Sequence, residues 1–156
     1  WVSSSNNSEI LSIAGTIAVI NEMRDKNTIS HCWKVGGKLF EGWNKVVEKH
    51  NINAKMNGYP IRMQQVCYDK NGKISLELKS VLLQEMVKKG IFMSPLGAVY
   101  LSYSHSNEDI EKTLDVLDEV CSTINLKTKN GNYKELLEGE MPKTIWTMKI
   151  KPTKKS

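Results

Sequence analysis

Apolar residues recur at intervals of three and four through the first 50 residues, which predicts two consecutive helices. The first spans residues 9–24, behind a serine-rich segment that can supply its N-cap. The second begins after residues 25–27 and contains a glycine pair, Gly36 and Gly37. Each glycine costs a helix about 1 kcal/mol relative to alanine, and we expect close helix packing to compensate for this cost. The pair does not match the phosphate-binding loop pattern, so we do not expect it to bind phosphate. The predicted apolar faces are Ile10, Ile13, Ala14, Ile17 and Ala18 or Ile20 in the first helix, and Ile29, Trp33, Gly36, Phe40, Trp43 and Val47 in the second.

After residue 53 the apolar period changes to two, which predicts extended segments. Turn residues at 58–60 and 69–72 bound these segments. A third helix is predicted at 74–89, followed by short strands at 91–93 and 99–103. Ser106 and Asp109 then form a capping box that opens a fourth helix. The residues that mark the strands and the two helix faces are Ala54, Met56, Ile61, Met63 and Cys67, then Leu78, Val81, Leu82, Glu85 and Met86, and finally Ile110, Leu114, Leu117, Cys121 and Ile124.

This order of elements predicts an α/β fold of the α+β-like kind. We expect a small, mainly antiparallel sheet covered by about four helices, mostly on one side. Residues 1–126 are predicted to form the domain, and residues 127–156 a basic tail that packs on it or extends from it. A helical piece near 133–137 and a possible strand at 144–150 are expected within that tail.

The composition is that of an ordinary globular domain, with 156 residues, 40% of them hydrophobic and 25% charged. Apolar stretches stay well below the roughly 18 residues of a membrane span, and the polar start is unlike a signal peptide. We therefore expect a cytoplasmic protein without a membrane partner.

The net charge of +5 comes from the tail alone. Residues 1–126 contain 14 basic and 14 acidic residues, whereas residues 127–156 contain 8 lysines and 3 glutamates. Trp146 lies among those lysines, so a stand-alone basic module for nucleic acid or another acidic partner is an alternative function. A solvated charged tail explains the same pattern and makes nucleic acid the less favoured partner.

Side chains suited to catalysis are few in this sequence. The spacing places no acid beside His31, His50 or His105, for which we expect structural roles. The three cysteines lie 35 and 54 residues apart, which fits neither a zinc site nor a redox pair, and their apolar surroundings predict buried free thiols. We therefore expect no catalytic residue and no metal site in this chain.

Two segments resemble a known family. Residues 84–86 read Gln-Glu-Met in a helix that leads to Gly90, and residues 104–106 read Ser-His-Ser ahead of an acidic segment. Both resemble the C-terminal small domain of class III aminotransferases, which are pyridoxal-phosphate enzymes, and in particular their glutamate-1-semialdehyde aminomutase-like branch. Further segments that resemble this branch are residues 3–5, 58–60 and 138–140.

The resemblance covers nearly the whole chain and implies an aminotransferase or aminomutase that acts on an amino acid, semialdehyde or keto-sugar. It also implies that the cofactor lysine lies in a large domain outside these 156 residues, so that this part is not catalytic alone. The implied partners are that large domain, a second subunit of a homodimer, and a small-molecule amino donor and acceptor. In the family, a threonine of the serine-rich segment contacts the cofactor phosphate of the neighbouring subunit. Ser5 occupies the matching position, although it could equally be a helix-capping serine.

Arg62 is the candidate for substrate binding, and it is one of only two arginines in the chain. A planar guanidinium binds a carboxylate through two hydrogen bonds, a task for which lysine is a poor substitute. Alternation with Ile61 and Met63 equally predicts an ordinary solvent-facing strand residue. A third hypothesis for the whole chain is a domain that serves only in assembly.

Overall fold

The fold is seen in a computed structural model that describes residues 9–94, 98–128 and 132–141. Helices and a small antiparallel sheet occur in the predicted order, which confirms the predicted fold class. The elements of the described residues are α1 (Ile10–Asp25), α2 (Thr28–Lys49), β1 (Ala54–Tyr59), β2 (Arg62–Cys67), α3 (Leu76–Lys88), β3 (Val99–Tyr100), α4 (Asn107–Lys127) and a 3-10 helix (Tyr133–Leu136).

The three strands form one antiparallel sheet in the order β1-β2-β3. A two-residue turn joins β1 to β2, so that Tyr59 pairs with Arg62. On the other edge of β2, Arg62 pairs with Tyr100 and Met63 pairs with Val99. Arg62 is therefore flanked by a tyrosine on each neighbouring strand.

The strand predicted at 91–93 is wrong, and the one predicted at 99–103 is limited to its first two residues. The end of α3 explains the first difference. Gly90 adopts a left-handed φ of 82°, and the backbone N–H of Ile91 donates to the carbonyl of Met86 at 3.0 Å. This N–H completes the helix end and is not available to a sheet.

The central helix α2 packs against β1 and α4. The predicted apolar stripe is right for Gly36, Trp43 and Val47, and Phe40 packs against the core while partly buried. It is wrong for Ile29 and Trp33, which are exposed. Two adjacent faces of this helix are apolar, and a helical period cannot tell which of them faces the core. The buried residues are Cys32, Val35, Gly36, Leu39, Trp43 and Val47.

Side-chain caps fix the starts of α3 and α4. The Ser75 hydroxyl accepts a hydrogen bond from the backbone of Leu78 at 3.1 Å. The predicted capping box is confirmed, since Ser106 Oγ accepts from the backbone N–H of Asp109 at 3.1 Å and Asp109 Oδ2 accepts from that of Ser106 at 2.9 Å. The buried residues of these helices are Leu78, Val81, Leu82, Leu83 and Met86 in α3, and Ile110, Leu117, Val120, Cys121 and Ile124 in α4.

The core lies between one face of the sheet and the helices α2, α3 and α4. Met56 and Met63 point into it from the sheet, and Trp43 fills its centre from α2. All three cysteines are free and buried, as predicted. Removing such side chains from water is the main driving force for folding.

The first helix, α1, is present as predicted but does not contribute to this core. Its N-cap is Glu9, whose side chain makes no capping bond, so the expected serine cap is wrong for the described residues. Apolar side chains lie on all sides of the helix, and Ile10, Leu11, Ile13, Ile17, Val19 and Ile20 are 51–80% exposed. Helices that are hydrophobic all round are normally buried. Within the described residues, nothing covers this one.

The beginning of the predicted tail is anchored on α3. The helical piece predicted at 133–137 is found as the 3-10 helix. Gln84 donates to the carbonyl of Leu136 at 3.0 Å and accepts from the backbone of Glu138 at 3.0 Å. The strand predicted at 144–150 lies outside the described residues.

The two neighbouring glycines of α2 provide a matched test of this packing. A Cβ on Gly36 would lie 2.0 Å from the carbonyl oxygen of Pro60, whereas one on Gly37 would meet nothing within 4 Å. We expect Gly36→Ala to lower the free energy of unfolding by about 2 kcal/mol, because backbone must move. Gly37→Ala should raise it by up to about 1 kcal/mol through helix propensity. Urea unfolding measures both values, and equal stability of the two variants would contradict the close contact.

Candidate functional site

The outer face of the sheet, opposite the core, carries the candidate site. Because successive side chains of a strand alternate between faces, Arg62 and Gln64 are exposed while Met63 is buried. The pairing of the strands then places Tyr59, Arg62 and Tyr100 side by side in one row across the sheet. Both tyrosines are also exposed. We call these three residues the outer-face row.

Within that row, Arg62 contacts Tyr100 in two ways. Its Nε–H donates a hydrogen bond to the phenol oxygen of Tyr100 at 3.2 Å, and its Cζ lies 5.8 Å from the centroid of the tyrosine ring. Such a cation–π contact at an exposed site contributes roughly 0.5–1 kcal/mol. Among the described residues, the terminal nitrogens Nη1 and Nη2 of Arg62 have no protein partner.

An open cleft of about 480 Å³ lies beside this pair. It offers one cation, a phenol and the side-chain amides of Asn57 and Gln64, and no carboxylate lines it. A donor-rich cleft of this kind suits a carboxylate, which accepts two bonds from a guanidinium fork. The lining residues are Asn57, Gly58, Arg62, Met63, Gln64, Ala98 and Tyr100.

The hairpin turn between β1 and β2 lies next to Arg62 and is held in place by contacts with α2. Gly36 lets the helix backbone approach the carbonyl of Pro60, and the ring of Trp33 meets that of Tyr59 edge-on, with centroids 6.4 Å apart. Gly58 has a φ of 106°, and a Cβ there would lie 2.6 Å from the carbonyl oxygen of Arg62. Only glycine suits that position, so it fixes the tight geometry of the hairpin next to Arg62.

The second candidate residue, Ser5, lies outside the described residues. The structure therefore does not bring it together with Arg62. The cleft beside Arg62 does not fit pyridoxal phosphate, because that cofactor is held through a lysine amine and no lysine lines the cleft. The residues that line the cleft thus suit a carboxylate better than this cofactor.

All three histidines make structural contacts. His31 Nε2 lies 2.9 Å from the carbonyl oxygen of His105, while His105 Nδ1 lies 2.9 Å from the hydroxyl of Ser102. His50 Nε2 lies 2.9 Å from Asp118 Oδ1 and so links the end of α2 to α4. Asp118 also accepts a bond from Lys49, and this bond together with that of His50 lowers the pKa of its carboxyl group. The sequence did not predict this acid beside His50, because it lies 68 residues away on another helix.

The buried thiols are poor nucleophiles. Burial raises the pKa of Cys67 to about 12, and burial with the nearby charge of Asp118 raises that of Cys121 to about 12 as well. Thiolates, the reactive form, are therefore rare at neutral pH. In residues 9–94, 98–128 and 132–141, no group of three or more His, Cys, Asp and Glu side chains could hold a metal ion, and no helix is long and apolar enough to cross a membrane.

Comparison with known sequences finds similarity to glutamate-1-semialdehyde aminomutases. No family model matches the chain. Over 100 residues, which are 58% of the chain, it is 37% identical to glutamate-1-semialdehyde 2,1-aminomutase 2 of Staphylococcus haemolyticus. Over 103 residues it is 32% identical to glutamate-1-semialdehyde 2,1-aminomutase 1 of Staphylococcus carnosus. The resemblance to class III aminotransferases is confirmed.

The chain spans about a quarter of the length of these curated relatives, with 23% and 24% of each covered. The matched region is thus one part of a much longer protein in both relatives.

Solved structures agree on the fold. The PLP internal aldimine form of the FumI protein from Sphingopyxis sp. MTA144 superposes with a TM-score of 0.64 at 17% identity, over 78% of this chain and 29% of that one. An omega-transaminase from Sphaerobacter thermophilus gives a TM-score of 0.53 at 16% identity, over 60% of this chain and 23% of that one. At such identities the likeness concerns the fold. It shows that much of this fold occurs as one portion of longer chains, one of which is an omega-transaminase.

Proposed function

We propose that this chain is the C-terminal small-domain portion of a pyridoxal-phosphate-dependent aminotransferase or aminomutase. The observation that carries the proposal is the 37% identity over 100 residues to a glutamate-1-semialdehyde aminomutase. The fold supports it, because an omega-transaminase contains a similar fold as a portion of its chain. Residues 1–126 would form the domain, and residues 127–156 a basic tail that packs on it or extends from it. In the complete enzyme, pyridoxal phosphate would serve as the electron sink for amino-group transfer.

The exposed helix α1 supports a larger protein around this portion. Its apolar residues are on every side, and none of them is buried. Leaving so much apolar area in water costs about 25 cal/mol per Å², so a cover for this helix would stabilise the protein. We propose that the large catalytic domain, with a second subunit of a homodimer, supplies this cover.

In this proposal the chain binds substrate and closes the site but does not catalyse alone. Arg62 would bind a carboxylate of the substrate through Nη1 and Nη2, which have no partner among the described residues. Ser5 would donate its hydroxyl to the phosphate of the cofactor bound to the second subunit. Both roles concern binding and orientation, so neither residue needs to exchange a proton with the substrate.

The basic binding module receives no support from the described part of the tail. Glu135, Glu138 and Glu140 lie there, and Glu138 pairs with Lys88 of α3. Acidic residues on this surface oppose the binding of a polyanion. A role in assembly alone is favoured by the exposed α1, but it leaves the cleft beside Arg62 without a function.

The 156-residue chain alone should form no functional complex with pyridoxal phosphate. On titration, we expect no saturable absorbance of a lysine adduct and no conversion of glutamate 1-semialdehyde, because the cofactor lysine lies in another domain. Pyridoxal phosphate can also react slowly with exposed lysines, but the absorbance of those adducts would not saturate, which distinguishes them from a specific site. The complete enzyme is the positive control. A saturable adduct with turnover in this chain would overturn the domain assignment.

Substitution of Arg62 should change substrate binding in the complete enzyme. We expect Arg62→Gln to raise KM for glutamate 1-semialdehyde about 10-fold or more, because a charge-assisted bond pair is lost. Lys55→Gln is the matched control, since Lys55 is an exposed cation on the same outer face but does not line the cleft. Steady-state kinetics separate KM from kcat. Equal KM values for the two variants would exclude Arg62 as the carboxylate ligand.

A further inference from the structure

We propose that Tyr100 is a positioning residue that holds the guanidinium of Arg62 ready for a carboxylate. This inference rests on the proposed function and deepens it, because it says how the substrate-binding arginine is oriented. Nothing in the sequence pattern around Tyr100 indicates such a role. It follows from the pairing of β3 with β2 and from the contacts between the side chains of Tyr100 and Arg62.

The pairing of the strands makes the contact possible. Tyr100 lies directly opposite Arg62 in the antiparallel ladder, so both side chains stand on the outer face of the sheet. Directly opposite residues have Cβ atoms roughly 5 Å apart, within reach of an arginine and a tyrosine. The neighbouring pair, Met63 and Val99, points to the inner face, where Met63 is buried, and so fixes this register.

The hydrogen bond selects which edge of the guanidinium remains open. An arginine can bind a carboxylate through Nη1 and Nη2 or through Nε and one terminal nitrogen. Here Nε is already bonded to Tyr100 at 3.2 Å. The Nη1–Nη2 edge is therefore the one that a substrate carboxylate would use, and Tyr100 decides this by occupying Nε.

The contact also reduces the freedom of Arg62 before substrate binds. An exposed arginine loses several rotamers when it is fixed, and this loss opposes binding. The bond to the phenol and the ring at 5.8 Å restrict those rotamers in advance. Tyr59, on the other side of Arg62, has no such bond among the described contacts, and its ring meets Trp33 instead.

The structural part of the inference is tested on the 156-residue chain by NMR of the arginine side chains. Tyr100→Phe removes the phenol oxygen but keeps the ring, and backbone spectra report whether the fold persists. We expect the Arg62 Nε–H to exchange with water at least 3-fold faster in Tyr100→Phe than in the wild type. Tyr59→Phe, the matched control, should leave this exchange rate unchanged. An unchanged rate in Tyr100→Phe would overturn the inference.

The functional part is tested in the complete enzyme with glutamate 1-semialdehyde as substrate. Tyr100→Phe should raise KM about 3- to 10-fold with kcat within 2-fold of wild type, since one bond to a charged group is lost. It should have no further effect in an Arg62→Gln background, because Tyr100 acts through Arg62. If Arg62→Gln raises KM and Tyr100→Phe does not, the positioning role fails while the proposed function stands. If neither variant changes KM, the positioning role of Tyr100 and the carboxylate-binding role of Arg62 both fail.

Discussion

The close approach of α2 to the hairpin of β1 and β2 is the contact on which the other features of this fold depend. Gly36 allows the helix backbone to reach the carbonyl of Pro60, and Trp43, about two turns further along the same helix, fills the core. With the helix in that place, the inner side chains of the hairpin are buried and the outer ones are left in solvent. The outer-face row of Tyr59, Arg62 and Tyr100 is the consequence, because a strand presents its residues alternately to the two faces.

Two surfaces of the domain differ in a way that bears on function. The outer face of the sheet is polar and carries a cleft with a partly free guanidinium, which suits a small anionic ligand. The helix α1 is apolar all round and exposed, which suits a protein surface. A portion of an enzyme that binds substrate on one surface and the rest of the protein through another would combine these two properties.

The sequence predicted the elements better than it predicted which residues they bury. The apolar period was enough to place the four helices and the two extended segments that follow α2, since this signal is local. The stripe of α2 was misplaced at Trp33, because a second apolar face lies beside the buried one. The strand at 91–93 was wrong because Gly90 and Ile91 complete the end of α3. Tyr100 could not be found at all, since its pairing with Arg62 joins positions 38 residues apart.

The most direct measurement is a crystal structure of the complete enzyme with pyridoxal phosphate and a carboxylate-bearing substrate analogue bound. We expect Nη1 and Nη2 of Arg62 to lie about 2.8 Å from the two carboxylate oxygens, with Nε still bonded to Tyr100 and α1 buried against the rest of the protein. A structure in which Arg62 faces bulk solvent, far from the analogue, and α1 remains exposed would contradict the assignment of this chain to the substrate-binding part of the enzyme.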